Sequence, residues 1–529
     1  MSIRIIAAAV ACMFLIHVFL KRKDSHDRIY ALNYMYLVLL FSLYPLVFSP
    51  IQGYQNMGAF KARIWAVITI ALIVYEVVYA VALRIMRQDA VKNSFAGVIS
   101  QIKNSPPDIA MIAYVLLATV SFAMAKDKVT ALSGAYGWFT GLLFQYAIVA
   151  VYFSVSRFGR PDKKLINIIL VSAMIVFAIG ILHRFTVDPI GIYRLLQEEE
   201  YIRFLSTIGQ ATWYSSYLCL VFPLGLHIFL FTKEDSEKKL SGAFLVISAM
   251  TLVTQNSDTA YGAFFVIIVC YLILAFLRGE ACTGVLKSLG MAVLLMSVGI
   301  IFMGLLERLF ADRLVSIDEL SIRIAQGIVP LAGIAAGIIM MLLDEAKAAV
   351  KRGAVAGMGL AICAAGVMLI FRYAADAYLI LGKDWGNGRG LIWMRTIQMF
   401  RDQPLINKIF GIGPGMFYEK VSDYTELILA NAHNEWLTAV VELGIAGGLV
   451  YLGIFVLAIA EACKSIISGR TDAEENEFGL NHYDFVIIAM TLGYIVHGFF
   501  NYQQCISTPM YFALLALGRY YRFDAKMSN

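Results

Sequence analysis

Residues 163–184 read KKLINIILVSAMIVFAIGILHR: Leu165 to Leu182 carry no charge, and basic residues bound the run on both sides. As a helix rising 1.5 Å per residue such a run covers roughly 27 Å, close to the ~30 Å hydrocarbon core of a bilayer. Comparable blocks recur from Ile3–Leu20 to Thr508–Leu517, among them Trp138–Val155, Leu240–Val253 and Gly353–Phe371. The 529 residues are 60% hydrophobic and 15% charged, whereas a soluble globular chain is about one half apolar and about one quarter charged. In lipid every backbone amide must be satisfied internally, so long apolar blocks without strand alternation imply helices. The expectation is an all-α polytopic membrane protein of about fifteen transmembrane helices, with roughly twelve to fifteen in range. Leu240–Val253 and Thr508–Leu517 are the shortest and read as tilted or partly re-entrant.

Ile3–Leu20 reads as a retained span, because Lys21, Arg22 and Lys23 follow it without a small-residue cleavage site. The seven Cys show no paired spacing, which argues against a disulfide framework or a thiolate metal site. A net charge of +6 gives no case for nucleic acid, since the basic residues sit in loops beside the membrane.

Basic residues gather in every second loop, for example Arg84 to Lys103, Arg157 to Lys164, Lys233 to Lys239 and Arg519 to Lys526. These loops hold more than half of the 43 Lys and Arg, and the positive-inside rule makes them cytoplasmic. The N-terminus is then expected outside and the C-terminus inside. Two outer segments, 183–212 and 372–432, are far longer than a connection requires, which points to function. The second contains Trp385, Trp393, Phe400, Phe410 and Phe417, with helical periodicity from Leu391 to Arg401, so it is expected to be ordered and to lie on the membrane surface or cap the bundle. His183, His433 and His497 all fall at outer ends of spans.

The long segment and the span after it give Gly388-Arg389-Gly390-Leu391-Ile392-Trp393, then Gly411-Ile412-Gly413-Pro414-Gly415-Met416-Phe417, then Ala432-His433-Asn434-Glu435-Trp436-Leu437, followed by Glu442, Gly444, Gly447 and Tyr451. This succession resembles the O-antigen ligase and polymerase superfamily. Upstream, Arg203 to Gly209 leading into Tyr214 and Tyr217 is similar to the family's first outer loop, and Thr254 to Gly262 to its short serine loop. The likeness runs from Arg203 to Tyr451. It implies N-terminal helices over 1–182, a ligase-like membrane domain over 183–521 and a cytoplasmic tail over 522–529. One position departs: Asp258 follows Ser257 where the family usually has Arg, so the missing charge is expected from elsewhere, with Arg184, Arg194, Arg395 and Arg401 available.

The resemblance implies transfer of a glycan from a polyprenyl-diphosphate carrier to a glycan, lipid or wall acceptor, outside the bacterial cytoplasmic membrane. The leaving diphosphate needs cations, and the Arg fork suits phosphate oxygens; Arg389 and Arg203 are first choices, with Arg395, Trp393 and Asn434 as further substrate contacts. The acceptor hydroxyl must lose a proton, and a neutral imidazole near its ordinary pKa of ~6.5 can take it. His433 fills that role, with Asn434 orienting substrate or capping the turn. Nine helical residues, about 900° and ~13 Å of rise, would set Glu442 on the opposite face from His433. Glu442 is therefore read as support facing another helix, and Gly411, Gly413 and Gly415 as a tight turn closing the long loop. His and carboxylates lack metal-ligand spacing and no phosphate loop is present, so no metal or other cofactor is expected.

Polymerase, ligase and protein-glycan transferase remain open. The chain shows no soluble acceptor-binding segment after Tyr521, which mildly disfavours the last, and a slight preference falls on polymerase. The rival class is a transporter or flippase of lipid-linked glycan, motivated by the helix count and by Glu76 and Glu442 within spans. No repeated halves of the kind transporters show are evident.

Overall fold

In the computed structural model the chain is a helical bundle with a small cap at one end. The structure describes residues 25–86, 105–278, 284–315, 319–344, 388–467 and 483–527, with isolated positions 102, 103, 346, 353, 357, 382, 383 and 386. The expected spans Ile3–Leu20 and Gly353–Phe371, and the first part of the long segment with Trp385, lie outside the described residues.

The bundle helices before the cap are α1 (Ser25–Val38), α2 (Met57–Met86), α3 (Pro106–Met124), the short α4 (Lys128–Ser133), α5 (Leu142–Phe158) and α6 (Lys163–Arg184), then α7 (Ala211–Phe231), α8 (Asp235–Thr254), α9 (Asp258–Arg278), α10 (Val285–Leu309), α11 (Glu319–Gln326) and α12 (Val329–Asp344). The cap holds α13 (Arg389–Asp402), α14 (Leu405–Phe410) and α15 (Phe417–Val421), and the bundle resumes with α16 (Glu435–Ile467), α17 (Tyr483–Phe499) and α18 (Ser507–Met527). Among the described residues, 7 helical stretches are long and apolar enough to cross a membrane and four shorter helices are apolar.

The helix ends follow local chemistry. Ser105 accepts the Asp108 N–H ahead of α3, whose first turn carries Pro106 and Pro107, and Asp162 accepts the Leu165 N–H ahead of α6. Trp138 does not join the helix expected from it: positive φ at Gly134, Gly137 and Phe139 turns the chain, and α5 starts at Leu142. The two short apolar blocks belong to helices of 20 and 21 residues, α8 and α18, rather than to tilted stubs. Their polar turns are accommodated by internal partners; in α18, Arg519 binds Glu461 and Ser105.

α7 is the central helix, with 94% of its apolar window buried, whereas α2 turns Ile70, Val74, Val77, Val78 and Val81 outward. α7 packs on α8 and α17, α16 on α3 and α17, and α18 on α5. Glu76, set inside α2, is satisfied in the bundle: its Oε1 accepts Asn33 Nδ2 at 2.9 Å and the Ser154 hydroxyl.

The cap has its own core. α13 points Ile392, Trp393, Thr396 and Met399 inward, a helical stripe. The apolar members of that stripe pack with Ile412, Met416, Phe417, Val421 and Leu429. The glycine turn ties this cap to the bundle. Gly411, Gly413 and Gly415 hold φ of 87°, 114° and 71°, a region that L side chains avoid. The Gly413 N–H donates to the Glu442 carbonyl and to Ser121 Oγ, each at 3.0 Å, so the ends of α3, the turn and α16 meet at one point. α16 breaks at Gly444 (φ 74°), where the backbone of Ile409 and Phe410 presses against it.

Candidate functional site

Where α16 begins, the chain places His433 in a left-handed conformation (φ 47°), uncommon away from glycine and a frequent mark of functional sites. Its backbone is pinned from both sides. The His433 N–H donates to Asn431 Oδ1 at 3.0 Å, and Trp393 Nε1 donates to the Ala432 carbonyl at 3.0 Å. Asn434 Oδ1 accepts the Leu437 N–H at 2.8 Å, making Asn434 the cap of α16 rather than a free contact. The His433 ring stands edge-on to Tyr502, with centroids 5.4 Å apart, and makes no hydrogen bond among the described residues.

The other two histidines at span ends, His183 and His497, are engaged. His183 Nδ1 accepts the Ser206 N–H at 3.0 Å, and its Nε2 faces Asp188 at 3.5 Å. His497 Nε2 meets Ser215 Oγ at 3.0 Å, and Asn501 is in reach of the same ring.

Arg389, the first residue of α13, donates from Nη1 to the Gly386 carbonyl at 2.8 Å and from Nε to the Phe500 carbonyl at 3.2 Å. Among the described residues it has no carboxylate in contact, although Asp258 lies within electrostatic range and opposes the downward pull of burial on its pKa. Asp258, which follows Ser257, thus lies within the field of Arg389. Burial, with the field of Arg389 as second cause, lowers the His433 pKa to about 4. The imidazole is therefore neutral at pH 7.

Arg203 ends a 3-10 turn (Glu198–Arg203) before a two-strand hairpin, β1 (Phe204–Leu205) and β2 (Gly209–Gln210), in which Phe204 pairs with Gln210. Gln210 Oε1 accepts the Tyr502 hydroxyl at 2.5 Å, and Tyr502 also accepts Trp213 Nε1 at 3.1 Å. The hairpin therefore leads to the ring beside His433. Arg203 itself is exposed, with no partner among the described residues.

Other expectations fall elsewhere. Arg395 reaches along its own helix to Gln398 at 3.0 Å. Arg184, suggested as a replacement cation, is only 1% exposed and is bound to Glu307 at 2.9 Å, so it is not available to a ligand. Glu442 faces the glycine turn and the start of the short helix α15: its Oε1 accepts the Phe417 N–H at 3.2 Å. Glu442 and His433 do not touch, as the helical arithmetic requires.

Tyr502, Gln503 and Glu435 were not singled out by sequence reasoning. Tyr502 and Gln503 lie between α17 and α18, outside every motif; only their place just past His497, at the outer end of a span, hinted at them. Glu435 lies within a quoted motif but carries no signal separating it from other helix-start carboxylates. All three line a small cavity of about 30 Å³ between Tyr114 of α3, the start of α5 and the first turns of α16.

No curated protein matches the chain in a sequence comparison. Residues 324–452, which contain Arg389, the glycine turn, His433 and Glu442, match the O-antigen ligase family model, and the match supports a likeness of this segment to the O-antigen ligase/polymerase superfamily.

Proposed function

We propose that the protein is a glycan polymerase or ligase that transfers a saccharide from a polyprenyl-diphosphate carrier at the outer face of a bacterial cytoplasmic membrane. His433 takes the proton of the acceptor hydroxyl as its oxygen attacks the anomeric carbon, and the bond to the diphosphate breaks. Arg389 steadies the departing diphosphate, and Arg203 supplies a second cation from the hairpin. The acceptor is a glycan, lipid or wall component, and the energy comes from the activated donor without a metal ion.

One observation carries this reading. Of the three outer histidines, His433 has the ring without a hydrogen-bond partner among the described residues, and it sits in the field of Arg389. A bound diphosphate would cancel that field, so the His433 pKa rises toward its ordinary value when donor is present and the imidazole becomes a stronger base. The carboxylates that motivated the transporter reading are engaged within the protein, Glu76 by Asn33 and Ser154 and Glu442 by the glycine turn and the start of α15, which favours the transferase reading.

The test is release of polyprenyl diphosphate from a lipid-linked oligosaccharide by the purified protein. Turnover dependent on a saccharide acceptor is expected, whether that acceptor is a second donor molecule or a separate lipid. Intact donor after prolonged incubation with every acceptor class would contradict the reading.

A further inference from the structure

We propose that α14 is a membrane-surface anchor, a short helix of inverted polarity whose apolar face enters the lipid leaflet beside α3 and α16; the inference rests on the membrane placement of the bundle and not on the transferase reading above. A helix that lies on protein and faces water points its apolar residues inward and its polar ones outward. α14 does the reverse. Leu405, Ile406 and Ile409 are 73%, 48% and 38% exposed, whereas Asn407 and Lys408 are half-buried. At about 100° per residue the three exposed side chains form one face. α13, separated from α14 by two residues, has the ordinary polarity: it spends Ile392, Trp393 and Met399 on the cap core and exposes Gln398, Arg401 and Asp402. The inversion therefore starts at Pro404. That residue brings no N–H to the opening of α14, and the N–H groups of Asn407 and Lys408 both donate to its carbonyl at 3.0 Å, so these backbone groups need no water.

The position of α14 decides what covers that face. It packs on α3 and α16, both long and apolar enough to cross a membrane. The Ile409 carbonyl would stand 2.2 Å from a Cβ at Gly444, so only glycine admits the contact. The turn that follows α14 is fixed by Gly413 to Ser121, in the last turn of α3, and to the Glu442 carbonyl. Glu442 lies seven residues into α16, about 10 Å along its axis. An interfacial helix buries its apolar face ~5–10 Å into the boundary between headgroups and acyl chains, and the level of α14 along the spanning helices matches that depth.

The helices under α14 present apolar stripes of their own. α16 exposes Ile445, Leu449 and Val456, and Ile445 directly follows the Gly444 contact; α3 exposes Leu116, Val120 and Met124. One lipid leaflet covers these stripes and α14 together. Lys408, the single charged residue of α14, lies off the apolar face, and its long stem suits an ammonium carried to headgroup level. Because α14 follows α13 so closely and Arg389 opens α13, the anchor fixes the height of the cap, and of Arg389, relative to the lipid.

The experiment places the full-length protein in phosphatidylcholine vesicles with a bimane label at Leu405→Cys or Ile406→Cys, the signal of the labelled parent being subtracted. Quenching by iodide in the water is compared with quenching by phosphatidylcholine brominated high on its acyl chains. Leu449→Cys, on the α16 stripe, is the lipid reference, and Gln398→Cys, on the exposed side of α13, is the water reference. Both α14 labels are expected to be quenched by brominated lipid at least half as strongly as the Leu449 label, and by iodide at least threefold less than the Gln398 label. The two α14 positions are read independently, so misfolding of one variant does not remove the test. Labels on α14 that iodide quenches as it does Gln398, and that brominated lipid leaves untouched, would overturn the anchor. Insensitivity to both quenchers would overturn it as well and assign the face to a protein partner. None of these readouts needs turnover, so failure of the anchor and failure of the transferase reading are told apart.

Discussion

The charges around the start of α3 and those around the start of α16 are treated in opposite ways. At one end, where α3 begins and α5 ends, Arg157 binds Asp108 at 2.6 Å, Tyr152 donates to the same carboxylate at 2.8 Å, and Arg519 binds Glu461 and approaches Asp108 at 3.7 Å. Where α3 ends and α16 begins, among the described residues Arg389 is bonded to main-chain carbonyls only, Arg203 is unpartnered and the His433 ring is left without a hydrogen bond. Charges neutralised by the protein hold helices together. Charges held in place by backbone and left un-neutralised are prepared for a ligand.

The contrast is broken most directly at His433. His433→Ala is expected to lower transfer by roughly 10²–10⁴-fold, the range for losing a general base, with unchanged membrane insertion and thermal unfolding. A loss of folding equal to the loss of activity would move His433 to the structural end of the comparison. Asp108→Ala should behave in the reverse sense. It leaves Arg157 without its carboxylate, costing about 3–5 kcal/mol of stability, while the folded fraction keeps its rate per molecule. Thermal unfolding in detergent, paired with active-site titration, separates the two outcomes.

Arg389→Ala should cost about 10- to 100-fold in donor kcat/KM, the loss of a charge-assisted contact to diphosphate, and Arg389→Lys should not restore it, because a point charge lacks the planar fork. The same variant sharpens the electrostatic claim. The His433 pKa is lowered to about 4 by burial first and Arg389 second. The neutral base is lost as pH falls, so the acid limb of kcat/KM lies near that value in the free enzyme and moves upward in Arg389→Ala. An acid limb that stays in place would separate His433 from Arg389. Arg203→Ala should have the smallest effect, a few-fold rise in donor KM, since an exposed cation contributes ~0–1 kcal/mol.

How much of this was legible in the sequence differs between the same two ends. His433, Asn434 and the glycine turn stand in contiguous motifs, and the positive φ at Gly411, Gly413 and Gly415 is what such a run of glycines announces. The pairing of Arg389 with the field of Asp258 joins residues more than a hundred positions apart, and nothing local marks it. Tyr502 and Gln503 reach the site because the end of α17 packs beside the start of α16. At the structural end, the charged turns of α8 and α18 concealed helix length, because Arg519 reads as the end of a span until Glu461 and Asp108 are placed beside it. Periodicity reports which residues avoid water; it does not report which buried charges find each other.

The most direct test of the division between the two ends is a reconstituted reaction with a polyprenyl-diphosphate oligosaccharide, no nucleotide and no added metal, comparing wild type with His433→Ala, Arg389→Ala and Asp108→Ala at equal amounts of folded protein. The account predicts elongated or acceptor-linked glycan from wild type and Asp108→Ala, and little or none from the two outer-end variants. Donor crossing the bilayer unchanged, with equal efficiency in all four proteins, would contradict it.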